Sequence, residues 1–193
     1  MNATVSRLPA LGVISGMFFL ALAAAEYPGG YDWTRHFIST LFAPITLNGD
    51  QNPSRPFAIF GMFLFCISMA ILFHLISLKA NSAFHMKTIQ IGGMGSMVYA
   101  LLAITPMHNL MVNISLVFFI SAMFTILHFL YTKSSLILLS IGLVSLASLL
   151  YVVGNYYGNV HLEYLPIGQK LSFLMCACWL FAVQYTYNPV ALE

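Results

Sequence analysis

The sequence predicts an all-α, polytopic six-helix transmembrane bundle with a short interfacial amphipathic helix in its first loop. Three observations carry this. Hydrophobic residues make up 60% of the 193 positions and charged residues 6%, with a mean hydropathy of +0.88. A soluble domain carries roughly 25% charged residues, so this chain cannot clothe a water-facing surface. The apolar residues fall into six runs, each close to the ~20 residues that a membrane-crossing helix requires. Lipid offers no partner for an unpaired amide, so each run is helical. Finally, one long polar interval, Glu26 to Arg55, separates the first run from the rest and holds three of the five acidic residues. The net charge of +2 is small and dispersed, which argues against a nucleic-acid partner.

The first span is about Leu8–Ala25. Arg7, an apolar core and Ala23-Ala24-Ala25 before Glu26 also fit a cleaved signal peptide. The apolar run exceeds the ~7–15 residues of such a core, which favours a retained helix. The remaining spans are about Phe57–Leu78, Thr88–Thr105, Leu110–Tyr131, Ser135–Val153 and Ile167–Tyr187, in one membrane domain covering 1–193. With six spans both termini share a side. Arg7, Lys79, Lys87 and Lys133 lie on that side and Arg35, Arg55 and Lys170 opposite, so the termini are expected to be cytoplasmic.

In the first loop, Tyr27-Pro28-Gly29-Gly30-Tyr31 reads as a turn. Asp32 reads as an N-cap. Trp33, Phe37, Ile38, Leu41 and Phe42 would then form the apolar face of a short helix lying at the membrane surface, ended by Pro44. Its plainest role is an aromatic anchor; its more interesting one is a flap folded over the bundle. Small residues at close helical spacing, Gly168/Ser172/Cys176, Gly92/Ser96 and Gly142/Ser145/Ser148, predict tight helix contacts. Cys176 and Cys178 point to different faces of one helix and form no chelating pair.

His74 and His128 fall near the cytoplasmic ends of their spans. The opposite side is richer. It gathers Asp32, His36, Ser39, His108, His161 and Glu163 as candidate pocket or lid residues. Arg35, Arg55, Asn109 and Asn113 are candidate lipid-headgroup ligands there, since the planar guanidinium fork suits phosphate. His36, His108 and His161 supply the ligand type for a zinc ion that would activate water for lipid hydrolysis. Each stands on a separate segment, however, without a diagnostic spacing. Ser39 with His36 or His108 could form a hydrolase pair, but no nucleophile elbow is present.

The order of these features resembles the FRAG/DRAM/Sfk-type six-helix membrane proteins and a neighbouring family of bacterial six-helix proteins of unknown function. The resemblance rests on Tyr27-Pro28-Gly29, Phe37-Ile38-Ser39-Thr40-Leu41, Asn52-Pro53-Ser54-Arg55-Pro56, and a Pro106-x-His108 turn before Phe118-Phe119. Such families often follow Ile-Ser with an acidic residue and a glycine; here Thr40 and Phe42 stand instead. The resemblance implies a six-helix fold with a large extracytoplasmic first loop, in proteins tied to lipid remodelling and membrane trafficking. It marks Ile38, Ser39, Arg55 and His108 as positions to test.

The functional expectation is an extracytoplasmic-side polar pocket that binds or helps process a membrane lipid or other amphiphile. The alternatives are a zinc-dependent, membrane-embedded lipid hydrolase, a small transporter and a non-catalytic structural protein. Transport is disfavoured because the middles of the spans hold no acidic or basic residue.

Overall fold

The structure is a computed structural model that describes residues 3–187, with side chains from residue 6 onward. The two chain ends, to which the expected cytoplasmic placement refers, lie outside the described residues. Among the described residues six α-helices follow one another: α1 (Ala3–Ala25), α2 (Arg55–Ser77), α3 (Ala83–Leu102), α4 (His108–Thr132), α5 (Leu136–Gly158) and α6 (Leu165–Thr186). Five of them, all but α3, are long and apolar enough to cross a membrane, the character of an integral membrane protein. No β-strand occurs among the described residues; the first loop holds one antiparallel bridge, Ile45 to Gln51.

Helices α2 to α6 form a ring, each packed on the next and α6 returning to α2, while α1 lies outside against α2. Hydrocarbon tails are as apolar as leucine, so helices in lipid associate through close packing rather than water exclusion. Glycine and serine supply that closeness. A Cβ added at Gly16 would stand 2.7 Å from the Gly61 carbonyl oxygen, and one at Gly61 would meet the Gly16 oxygen at 2.7 Å. Gly12 on the same face abuts Ser68. This α1–α2 seam is additional to the small-residue contacts expected above. Gly92 meets Phe118 and Ser121 of α4, and Gly142 of α5 receives the Trp179 ring of α6. The indole Nε1 of Trp179 donates to Leu138 O at 2.7 Å, which satisfies its polar atom in the core.

The end of α1 is sealed in the fold. Ala23 and Ala24 are buried with Tyr27, Tyr31, Leu41, Phe42 and Ala58 in one apolar cluster. The small residues that suit a peptidase pack under the first loop.

Several elements differ from the expected ones, three of them for a visible reason. Helix α3 starts five residues early because Ser82 caps it, its Oγ accepting from His85 N at 3.2 Å. Helix α5 runs on to Gly158 and stops at left-handed Asn159. That extra turn brings Tyr156 and Tyr157 into the helix. The amphipathic helix from Asp32 to Pro44 is corrected: it is not one helix. Asp32 Oδ1 accepts from Thr34 N, Thr34 Oγ1 and Arg35 N, closing a single turn. The Thr34 hydroxyl and amide hold the Asp32 carboxyl below its ordinary value. The backbone then extends at Phe37 (φ −67°, ψ 153°), and only Ile38–Phe42 winds again, as a 3₁₀ segment. In that conformation Leu41 and Phe42 are buried under the α1–α2 ends.

Candidate functional site: a lidded cavity inside the helix ring

The ring formed by α2 to α6 encloses a cavity of about 380 Å³ at the end where the first loop lies. The 3₁₀ segment covers it: Phe37, Ile38, Ser39 and Phe42 line its roof. Polar groups cluster beneath that roof. They are His108, Asn109 and Asn113 at the start of α4, Tyr156 and Tyr157 at the end of α5, and Gln169 near the start of α6. Deeper in the ring, Met62, Phe65, Met69, Met97, Leu116, Phe119 and Phe173 make the walls apolar. From His108 to Phe119 the α4 wall spans ~16 Å at 1.5 Å per residue.

Side chains from α6 and from the start of α2 clamp the roof through its backbone. Gln169 Oε1 accepts from Ile38 N at 3.3 Å, and Lys170 Nζ donates to His36 O at 2.5 Å. Arg55 Nε donates to Phe42 O at 2.8 Å. Buried Asn52 donates through Nδ2 to Leu41 O (3.1 Å) and Ala43 O (2.9 Å), while its Oδ1 accepts from Ser54 N and Oγ. Tyr31 OH also donates to His36 O, at 3.0 Å. Burial, with Tyr27 beside it, pushes the Tyr31 phenol up from its ordinary value, so it stays a neutral donor. Lys170 Nζ also stands 5.6 Å above the Tyr31 ring.

The sequence-predicted candidates separate into three groups. Ser39, His108, Asn109 and Asn113 line the cavity. Asp32, His36, Arg35 and Arg55 do not. His36 packs on the Tyr27 and Tyr31 rings and accepts from Asp32 N at Nδ1. Arg35 is solvent-exposed beside Asp32, at 3.8 Å, and an ion pair so placed contributes little. Arg55 is engaged with Phe42 O and otherwise borders a shallow apolar groove on the outer side of α2 and α3. His161 and Glu163 are exposed in the turn between α5 and α6, away from the cavity lining.

The three-histidine zinc site is corrected. Among the described residues no three His, Cys, Asp or Glu side chains group closely enough to hold a metal ion. The topology puts His36, His108 and His161 at one end of the bundle, but their segments hold them apart. His108 Nδ1 lies 2.6 Å from Ala103 O, so a backbone carbonyl occupies the place a triad carboxylate would take. No hydrogen bond joins Ser39 to His108 or His36 among the described residues, and no activated nucleophile is assembled.

Gln169, Tyr157, Lys170 and Asn52 are the working residues that sequence reasoning passed over. Tyr157 OH donates to Asn113 Oδ1 and ties α5 to α4 at the cavity rim. Asn52-Pro53-Ser54 carried a readable signal, since an Asn two residues before a helix-opening Ser commonly closes an Asx turn. Gln169 beside Lys170 in the first turns of an apolar helix was a second. Elsewhere, His128 meets His85 of α3, ring centroids 5.0 Å apart, and His74 Nδ1 pairs with Gln90 Nε2 at 3.2 Å, both at the opposite end of the bundle.

Comparison of the chain with protein-family models, with curated proteins and with solved structures finds no match in any of the three.

Proposed function

We propose that this protein is a six-span integral membrane protein that binds a membrane lipid or other amphiphile in the lidded cavity, as a binding or accessory protein. The observation that carries the reading is the gradient inside the cavity: polar groups under the roof, apolar walls below. A molecule with one polar and one hydrocarbon end matches that gradient, and the volume falls within the ~300–1,000 Å³ usual for a small-ligand site. Binding is favoured over hydrolysis because neither a metal-ligand group nor an activated serine is assembled among the described residues.

In this proposal α3 is the sixth crossing. Its outward stripe of Ile91, Met94, Val98 and Leu102 is exposed, as a lipid-facing surface requires. Lys87, Thr88 and Gln90 lower its hydropathy near one end only. The roof then faces the outer side and the lysine-bearing loops the cytoplasm, with the Ile38–Phe42 segment near the membrane surface.

The test is lipid retention. Native mass spectrometry of the protein released from nanodiscs is expected to find one amphiphile per chain. Ala177 lines the cavity wall, and Ala177→Phe should cut that occupancy about tenfold, ~1.4 kcal/mol of affinity, with thermal stability retained. An empty wild-type cavity, or equal occupancy in the variant, would sink the proposal.

A further inference from the structure

The geometry points to a particular ligand class: an amphiphile with an uncharged, hydrogen-bonding headgroup, such as a hydroxyl or an amide, in place of a phosphate-bearing lipid. This rests on the amphiphile-binding reading above and narrows it. Among the described residues the cavity lining contains no Lys, Arg, Asp or Glu. Both arginines expected to hold phosphate stand elsewhere, Arg55 bonded to Phe42 O and Arg35 in solvent. Lys170, next to cavity-lining Gln169, is spent on His36 O and Pro166 O. Among the described residues no cationic side chain lines the cavity to offset the dehydration of an anion there, whereas a neutral group needs only hydrogen bonds.

The polar atoms left over suit a neutral headgroup. A carbonyl oxygen only accepts, so His108 Nδ1 must carry the hydrogen shared with Ala103 O. In the neutral ring Nε2 is then a lone-pair acceptor on a side chain that lines the cavity. Gln169 Oε1 is taken by Ile38 N, which leaves its Nε2 hydrogens to donate. Asn113 Oδ1 is taken by Tyr157 OH, which likewise leaves an amide donor. Acceptor and donors at one rim match a group that both donates and accepts, as a hydroxyl or a primary amide does.

The experiment measures displacement of radiolabelled monododecanoylglycerol from the protein in phosphatidylcholine nanodiscs. Unlabelled monododecanoylglycerol, dodecyl phosphate and dodecyltrimethylammonium are the competitors. The uncharged compound should displace saturably, and both charged compounds at least about tenfold less well. His108→Phe removes the acceptor, and with it the bond to Ala103 O, so it should weaken the uncharged compound about tenfold and also lower the melting temperature. Gln169→Glu keeps an oxygen for Ile38 N but places an anion at the rim. It should shift preference towards dodecyltrimethylammonium. Dodecyl phosphate binding as tightly as the glyceride would overturn the uncharged-headgroup inference and leave the amphiphile reading standing. Absence of saturable binding by every compound would overturn both.

Discussion

Asn52 shows how much of this molecule depends on single polar side chains. It is buried, and both ends of its amide are used, donating to Leu41 O and Ala43 O and accepting from Ser54. An isosteric Asn52→Leu change would leave two carbonyls of the roof unpaired, at about 2–4 kcal/mol in total. The expected outcome is a lower melting temperature together with faster proteolytic cutting between residues 37 and 54. Unchanged cutting would mean that Asn52 does not hold the roof. Lys79 offers a second residue-scale test. It lies just past α2, its Nζ donates to Gln184 O, and burial holds its ammonium down to about 8. Its unfolded value is ~10.4, so between those limits the unfolded chain binds more protons. Stability therefore rises with pH across that window. Melting curves from pH 7.5 to 10 should show this rise in the wild type and a flatter profile in Lys79→Met.

At the scale of the elements, the decisive contacts are backbone approaches that only glycine allows. Gly16 and Gly61 let α1 and α2 meet with a would-be Cβ 2.7 Å from a facing carbonyl. Backbone cannot yield as a flexible side chain can, so Gly16→Val should cost about 1–3 kcal/mol and loosen α1 from α2. Crosslinking between the two helices reads this directly. Gly154, in the last turns of α5, has nothing within 4 Å. There Gly154→Ala should instead stabilise by up to ~1 kcal/mol through helix propensity alone. Equal effects at the two positions would refute the packing account. The lid follows the same rule of place over propensity. Trp33 to Phe42 has a helical pattern, yet it breaks at Phe37 because Gln169, Lys170, Arg55 and Asn52 claim its carbonyls and amide from outside.

For the whole molecule, the arrangement to test is a lidded ring with an even number of crossings. With Cys66, Cys176 and Cys178 replaced by alanine, Asp50→Cys should react with a membrane-impermeant maleimide from outside intact cells. Asn81→Cys, between α2 and α3, should react only after the cells are opened. Labelling of both from the same side would overturn the crossing of α2. The ring itself was partly legible. The count of apolar runs, their order and the polar first loop were readable because hydropathy and length are local properties of the chain. Ser39, His108, Asn109 and Asn113 were legible as pocket candidates because all sit at one end of an antiparallel bundle. Their partner Gln169 was marked only by its place beside Lys170 in an apolar run, and Tyr157 lay past the expected end of its span; neither position tells which way the side chain faces.

The sequence by itself determined that this is an all-α chain with helices suited to lipid, joined by short turns and one long polar loop. Sparse charge and long apolar runs leave few other solutions. Only the tertiary structure decided that α1 stands outside a five-helix ring, that the first loop is a clamped roof, and that the three histidines stay apart. It also decided that no charged side chain among the described residues lines the cavity. The reason is physical. In lipid an apolar face is equally at home against tails or against another helix, so hydrophobicity says which segments enter the membrane and not which side of each looks inward. That choice falls to glycine contacts and to a few buried hydrogen bonds, whose partners lie far apart in the chain.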